Sequence, residues 1–278
     1  MTTQTGPVWL DGRLLPAAEA AIATTDRGLT VGDGVFETML VIDGRAFALR
    51  RHLERLAASA DALGITTPAP GELRTAVEEL LTATGPAAGR VRLTATAGPG
   101  SVGTARHGGV PTVLVTATDR PTYPATSTVA VVRWTRNERD ATAGVKTTSY
   151  AGNVRALAAA HGAGADEALF ANTSGALCEG TGTNVFVVRD GRLCTPPLSS
   201  GCLPGVTRAL VLELTDAVEA DLAPDDLRRA DEAFLTSTTR GVHPIAAVDG
   251  SSLVEAPGPI TKAAAEAYAE LQARDLDP

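Results

Sequence analysis

Aromatic side chains are scarce in this chain. Trp, Tyr and Phe make up 4% of its 278 residues, so a core has to be built from Ala, Val and Leu. Hydrophobic residues reach 44%, enough to fill such a core without a partner's surface. Cysteine is limited to Cys178, Cys194 and Cys202, an odd number at irregular spacing. That excludes a disulfide framework and a paired-cysteine metal motif, and it fits free thiols in a reducing cytoplasm. His52, His107, His161 and His243 are scattered, none paired with another at ligand spacing, so no metal site is expected. Positive charge is in deficit: the net charge of -8 argues against a nucleic-acid backbone as the main partner, though a local basic pocket for a small anion remains open. No apolar run approaches the ~18 residues of a membrane span. The first ten residues show neither a basic nor an apolar signal region, so no signal peptide is expected.

What is present reads as alternating short strands and amphipathic helices over about two domains. Asp11-Gly12 and Asp43-Gly44 mark hairpin turns, joining strands at 8–10 and 13–15, then at 35–42 and 45–49. The stretch between them carries Gly28, Gly32 and Gly34, a sign of tight functional backbone. Helical periodicity follows at 50–63 and 71–83, then strands at 90–97 and 112–118. The loop joining those strands contains a formal G-x-G-x-x-G at Gly98, Gly100 and Gly103. It is not a dinucleotide fingerprint, because a strand rather than a helix follows it. The Pro-punctuated D-R-P-T-Y-P divides the chain into an N-terminal domain (1–118), a linker (119–125) and a C-terminal domain (126–278). In the second half, strands are expected at 128–134, 166–171, 176–178, 183–188, 192–195, 234–237 and 242–248. Helices are expected at 153–161, 204–214 and 261–271.

Lys146 stands apart from other basic residues, the nearest being Arg139 and Arg155, with a helical run just beyond it. An amine set there can be desolvated and made nucleophilic; the plain alternative is a solvated surface charge. Four polar clusters interrupt otherwise apolar elements. Glu179 ends a buried strand ahead of two glycines, which is costly without a cationic partner unless it lies in a solvated turn. Gly205-Val206-Thr207 opens a helix straight after Pro204, where backbone N–H groups, the helix dipole and a hydroxyl suit an anion of phosphate size. Ordinary helix starts also favour Pro and Thr. Residues 236–239 add hydroxyls at a strand end. Arg55 can supply a fixed positive charge to the same anion, or pair with Glu54 or Asp61 on a solvated helix face. Taken together these are an amine for a Schiff base, a carboxylate for a ring N–H and donors for a phosphate, the set that pyridoxal phosphate requires of its protein.

Five segments carry a more specific likeness: D-R-G-L-T-V-G-D-G-V-F-E-T (26–38), H-L-E-R-L (52–56), K-T-T-S-Y-A-G-N-V (146–154), E-G-T-G-T-N-V-F (179–186) and T-P-P-L-S-S-G-C-L-P-G-V-T-R (195–208). In this order and over nearly the whole chain, the sequence resembles the fold-type IV pyridoxal-phosphate enzymes, the class IV aminotransferase family. The resemblance implies an α+β fold, a smaller N-terminal α/β sandwich and a larger C-terminal pseudo-barrel, with the cofactor at the domain interface. It also implies a cytoplasmic homodimer acting on a small amino substrate that bears a carboxylate. It implies that Lys146 carries pyridoxal 5'-phosphate as a Schiff base and shuttles the Cα proton, and that Glu179 keeps the pyridine nitrogen protonated. Arg55, Gly205, Val206, Thr207, Ser237 and Thr238 would take the phosphate, Leu203 would pack on the ring, and Tyr150 would match a tyrosine near the ring hydroxyl.

Within that family two reactions share the first steps. An aminotransferase passes on the amino group of a D- or branched-chain amino acid. A 4-amino-4-deoxychorismate lyase releases pyruvate and gives 4-aminobenzoate, a step of folate biosynthesis. The strand Arg90-Val91-Arg92 lacks the tyrosine of the branched-chain pattern, and Arg106-His107 are adjacent where the D-amino-acid branch has R-x-H. T-S-T-T-R-G-V-H-P-I and K-T-T-S-Y are more similar to the lyase branch, so the sequence leans to the lyase. Arg92, Arg106, His107, Thr239 and Arg240 are the candidates for holding substrate. A non-catalytic cofactor-binding protein is the further alternative; it would be expected to lose Lys146 or Glu179, and both are present.

Overall fold

The structure is a computed structural model of the chain and describes residues 6–101, 103–106 and 108–278. The chain forms two compact units. One holds the residues up to Pro121 together with Val145–Ser149 and Asp275–Pro278; the other holds Thr122–Gly144 and Tyr150–Arg274.

The first unit is a helix-backed antiparallel sheet. β1 (Pro7–Leu10) and β2 (Arg13–Pro16) form the expected hairpin. Its turn places Asp11 at φ 47° and Gly12 at φ 85°, the left-handed pair that suits the twist of a two-residue hairpin. A short helix, α1 (Arg27–Thr30), was not legible as such; the Asp26 side chain caps it by accepting from the Gly28 N–H. β3 (Gly34–Ile42) follows, but the expected return strand is cut to β4 (Arg45–Ala46). Ala48 adopts a left-handed conformation (φ 54°), and Leu49 already begins α2 (Leu49–Ala62). α3 (Pro70–Thr84), β5 (Arg90–Thr96) and β6 (Thr112–Thr118) complete the unit, with strand order β2-β1-β6-β5-β3-β4. Along β3 the side chains of Val35, Met39 and Val41 join Leu53, Leu56, Leu80 and Leu93 in one aliphatic core, which explains how a chain so poor in aromatics fills it.

The glycine-rich segment is a hairpin loop, as its flanking strands require: β5 and β6 pair antiparallel up to Thr96↔Thr112. At Gly98 the glycine serves close packing. A Cβ there would lie 1.9 Å from the Val110 carbonyl oxygen. The loop wraps the buried guanidinium of Arg27, whose Nη1 donates to the carbonyls of Ser101 (3.2 Å), Gly103 (3.0 Å) and Ala105 (3.1 Å).

The second unit contains β7 (Ser127–Arg136), α4 (Ala151–Gly162), β8 (Glu167–Asn172), β9 (Leu177–Gly180), β10 (Asn184–Arg189), β11 (Arg192–Thr195) and α5 (Val206–Leu214). After them come β12 (Val218–Glu219), α6 (Pro224–Arg228), β13 (Glu232–Ser237), β14 (Gly241–Val248), β15 (Ser251–Ser252) and α7 (Pro259–Arg274). The sheet runs β12-β11-β10-β13-β14-β7-β8-β9, with β15 on β14. β9 is one edge of this order and β10 lies near the other, yet the chain joins them through residues 181–183, with the Gly180 N–H bonded to the Thr183 carbonyl at 2.8 Å. A sheet whose distant strands meet in so short a turn has to curl back on itself, which gives the half-barrel. Its two sides are packed separately, one around Leu169, Leu177, Val185 and Leu235, the other around stacked Phe186 and Phe234 (4.9 Å between ring centroids) under α5 and α7.

Candidate active site

Lys146 belongs to the first unit and lies on no helix; α4 begins only at Ala151. It is instead bonded along β3 in the manner of an added strand. The Phe36 N–H donates to its carbonyl (3.0 Å), Thr147 bridges Val35, and the Thr148 N–H donates to the Gly34 carbonyl (2.8 Å). The Lys146 N–H itself donates to Ser59 Oγ of α2 (3.2 Å). The backbone is thus fixed on both sides. The side chain is half-buried, with Nζ 4.6 Å from the centroid of the Phe36 ring. Arg92 of β5 shares that ring, its guanidinium carbon 3.7 Å from the centroid.

Arg55 does not pair with Glu54 or Asp61. Glu54 goes to Arg50, and Arg55 points into the protein, where its Nε and Nη2 each donate to Glu37 at 2.7 Å. Glu37 is fully buried, on the core-facing side of β3 between Val35 and Met39. It also accepts from His52 Nδ1 at 2.6 Å, since an ionised carboxylate offers only acceptors. Burial alone would raise the Glu37 carboxyl. The Arg55 charge and the hydrogen bonds from Arg55 and His52 outweigh it and hold the group well below the ordinary range. Burial keeps His52 below its ordinary value against the pull of Glu37, with Arg55 and Lys146 repelling a third positive charge. Glu37 and His52 are not among the sequence-derived candidates for the cofactor site. Their signal was available: a lone carboxylate on the apolar face of a strand, and His52 and Arg55 three residues apart on one helix face.

In the second unit Glu179 is buried at the end of β9, 8% exposed, not in a solvated turn. One carboxylate oxygen accepts from the Leu203 N–H at 2.9 Å and the other from Arg136 Nε at 3.1 Å. Leu203 is clamped a second time, since its carbonyl accepts from Asn184 Nδ2 at 2.9 Å. α5 begins one residue past Gly205, where no side chain caps it. A Cβ on Gly205 would lie 2.0 Å from Asn184 Oδ1, so the backbone passes this asparagine as only glycine allows. Val206 and Thr207 are buried in the first turn. Across the sheet from Asn184, Thr236 is 1% exposed, and its hydroxyl is one of the buried polar atoms without a protein partner. Ser237 Oγ accepts from the Arg240 N–H (3.3 Å) as β13 turns into β14; Thr238 lies in that turn. Burial, followed by the Glu179 charge, pushes the Cys202 thiol up to about 11 and raises Cys178 as well, so neither is a ready nucleophile.

The substrate candidates are less gathered. Arg92 lies on the first unit's sheet, as described. Arg106 is bound to Asp33 through Nε (2.8 Å) and Nη2 and to the carbonyls of Leu63 and Gly64, and its bond to Asp33 holds that carboxyl below the usual range. Arg240 is 3.5 Å from buried Glu167, donates to Ser127 Oγ (3.3 Å) and lies over the Tyr123 ring. Thr239 Oγ1 is 2.9 Å from the Tyr123 hydroxyl. Tyr150 is the residue from which α4 starts. His107 lies outside the described residues.

The family model for amino-transferase class IV matches residues 34–248. Over 280 residues the chain is 33% identical to a protein of Methanocaldococcus jannaschii provisionally assigned as a branched-chain-amino-acid aminotransferase, covering 96% of each chain. It is 32% identical to a D-alanine aminotransferase of Bacillus licheniformis, covering 92% of this chain and 93% of the other. Among solved structures, the branched-chain amino acid aminotransferase of a T.th. strain, solved with pyridoxamine 5'-phosphate, has a TM-score of 0.90 at 27% identity (97% and 94% covered). A protein of Legionella pneumophila, provisionally assigned as a 4-amino-4-deoxychorismate lyase, has a TM-score of 0.86 at 25% identity (93% and 97% covered).

The residues present fit pyridoxal phosphate. An amine beside an aromatic face and an internally anchored arginine stand in one unit; a buried carboxylate, an uncapped helix start reached through a glycine and an unpartnered buried hydroxyl stand in the other. With the family model spanning most of the chain, the donor set and the relatives agree: this chain belongs to the class IV aminotransferases, the fold-type IV enzymes that work with pyridoxal phosphate.

Proposed function

We propose that this chain is an aminotransferase that takes the amino group from a small α-amino acid, with Lys146 as the attachment point of the cofactor and the group that moves the Cα proton. The observation that carries the reading is whole-length similarity to aminotransferases of two specificities, joined to a lysine and a carboxylate held as this chemistry needs them. When bound, pyridoxal phosphate supplies an electron sink conjugated to the substrate's Cα.

The protein's part is positioning. Because the Lys146 backbone is bonded through both its N–H and its carbonyl, Nζ moves only through side-chain torsions, which suits a base used in two successive steps. Glu179 would hold a proton at the pyridine nitrogen, its oxygens kept in place by the Leu203 N–H and Arg136. The N–H groups of Val206 and Thr207, with the hydroxyls of Thr207, Ser237 and Thr238 and the guanidinium of Arg55, would hold the phosphate. Leu203 would cover one ring face, and Tyr150 would serve the ring hydroxyl.

A second reading is kept on two observations: K-T-T-S-Y and T-S-T-T-R are more similar to the lyase branch, and the Legionella structure shares the fold. A paired assay separates the two. D- and L-amino acids are supplied and the cofactor's conversion to its pyridoxamine form is followed. Then 4-amino-4-deoxychorismate is supplied and pyruvate is measured. Conversion without pyruvate release is expected; release without conversion selects the lyase and overturns the aminotransferase reading. Lys146→Ala is expected to abolish the visible absorbance of the bound cofactor while leaving the far-UV spectrum intact, and an unchanged visible band would remove Lys146 from its role.

A further inference from the structure

Glu179 is held by a residue that no motif singled out. Arg136 is the last residue of β7 and pairs in register with Asn172 of β8. Its side chain is fixed at three points: Nε donates to Glu179 Oε1 (3.1 Å), Nη1 donates to Asn153 Oδ1 (3.0 Å), and the guanidinium carbon lies 4.3 Å from the centroid of the Phe170 ring. Phe170 is itself the cross-strand partner of Glu179. Asn153 is fixed in turn, with Nδ2 donating to the Thr181 carbonyl at 2.5 Å. Thr181 donates through N–H (3.2 Å) and hydroxyl to Glu167, and Glu167 faces Arg240. One polar chain thus runs from Arg240 through Glu167, Thr181, Asn153 and Arg136 to Glu179.

The geometry points to Arg136 as a positioning residue for Glu179, setting the orientation and the charge environment of the carboxylate that would serve the cofactor's ring nitrogen. This inference rests on the role given to Glu179 above. A planar guanidinium can serve Glu179 and Asn153 at once because its donors diverge in a fixed fork; an ammonium in the same place is a point charge and loses one of the two. With Arg136 on one oxygen and the Leu203 N–H on the other, the carboxylate cannot rotate without breaking a bond. Cys178 and Cys202 also lie within electrostatic reach of Glu179, and both are kept as neutral thiols, by burial first.

The test is a double-mutant cycle with Glu179→Gln. Arg136→Gln is expected to lower kcat by about 10- to 100-fold, the usual loss when the partner orienting a functional side chain is removed. KM should move far less, and the circular dichroism of the bound cofactor should change. Arg136→Lys should recover part of the loss. In the Glu179→Gln background the same Arg136→Gln change should cost less than about threefold, because residues acting as a unit are not additive. Unfolding of the four cofactor-free proteins in urea gives a readout independent of turnover, and there too the pair should be non-additive.

If Arg136→Gln folds poorly, Asn153→Ala keeps the charge and removes its second anchor; a smaller loss, again vanishing in the Glu179→Gln background, is expected. Equal losses in both backgrounds would mean that Arg136 acts on the fold alone and would overturn the inference while leaving Glu179's role standing. Full activity of Glu179→Gln would overturn the role itself.

Discussion

Replacing Glu37 by glutamine tests the buried cluster behind Arg55. The substitution keeps the shape and removes one charge. Three donors now converge on Glu37: Arg55 Nε and Nη2 at 2.7 Å each and His52 Nδ1 at 2.6 Å. Glutamine offers one oxygen and one NH2 group. His52 can adapt by changing tautomer and accepting from that NH2, so the conflict concentrates on Arg55. Two unit charges at about 4 Å attract by about 4 kcal/mol at an effective dielectric of 20, and in the native pair this is largely offset by desolvation. The variant loses the attraction and keeps the desolvation, because the Arg55 side chain is only 10% exposed. An expected loss of about 3–5 kcal/mol follows.

For a protein of this size that lowers the melting temperature by roughly 10 °C. Urea unfolding of the cofactor-free chain measures the free energy directly. A companion variant, Glu37→Met with His52→Leu and Arg55→Met, replaces the whole cluster by apolar side chains and should recover most of the stability, though not cofactor affinity. A Glu37→Gln loss under about 1 kcal/mol, the size of an exposed pair, would refute the picture of a dry, fully committed carboxylate.

The same cluster fixes the direction of the pH response. His52 is held below its ordinary value in the fold, so below about pH 6.5 the unfolded chain binds a proton that the folded chain refuses, and stability falls as pH falls. Glu37, also depressed, adds a further loss below about pH 4.3. Urea midpoints taken from about pH 8 down to about pH 5 should decline, and His52→Gln should flatten the upper part of that decline; an unaltered slope would rule out His52 as its source. Gly205→Ala would bring a methyl within 2.0 Å of Asn184 Oδ1, an atom that cannot retreat freely because the same amide holds Leu203. It should cost about 1–3 kcal/mol and weaken cofactor binding about tenfold or more, read by fluorescence titration; native-like affinity would show that the first turn of α5 is not part of the phosphate site.

The sequence by itself determined the elements whose signals are local. Hairpin turns with Asp-Gly, the periodicity of α2 and α3, and the antiparallel setting of the glycine loop are consequences of backbone sterics and the side-chain period, and these are written residue by residue. The family could also be read from ordered motifs, and with it the cofactor. Tertiary structure alone decided which charges meet. Lys146 precedes a helical run in sequence, yet it is bonded along β3, because its partner Phe36, like Val35 opposite the neighbouring Thr147, is far away in sequence. Arg55 had acidic neighbours in sequence and chose Glu37, since a buried carboxylate gains more from a guanidinium than an exposed one does. Arg136 gave no sequence signal, because its meeting with Glu179 depends on the register of β7, β8 and β9 and on where α4 sets Asn153. Local propensity is a property of neighbours along the chain. The pairing of buried charges depends on desolvation, and that exists only once distant strands and helices have closed around them.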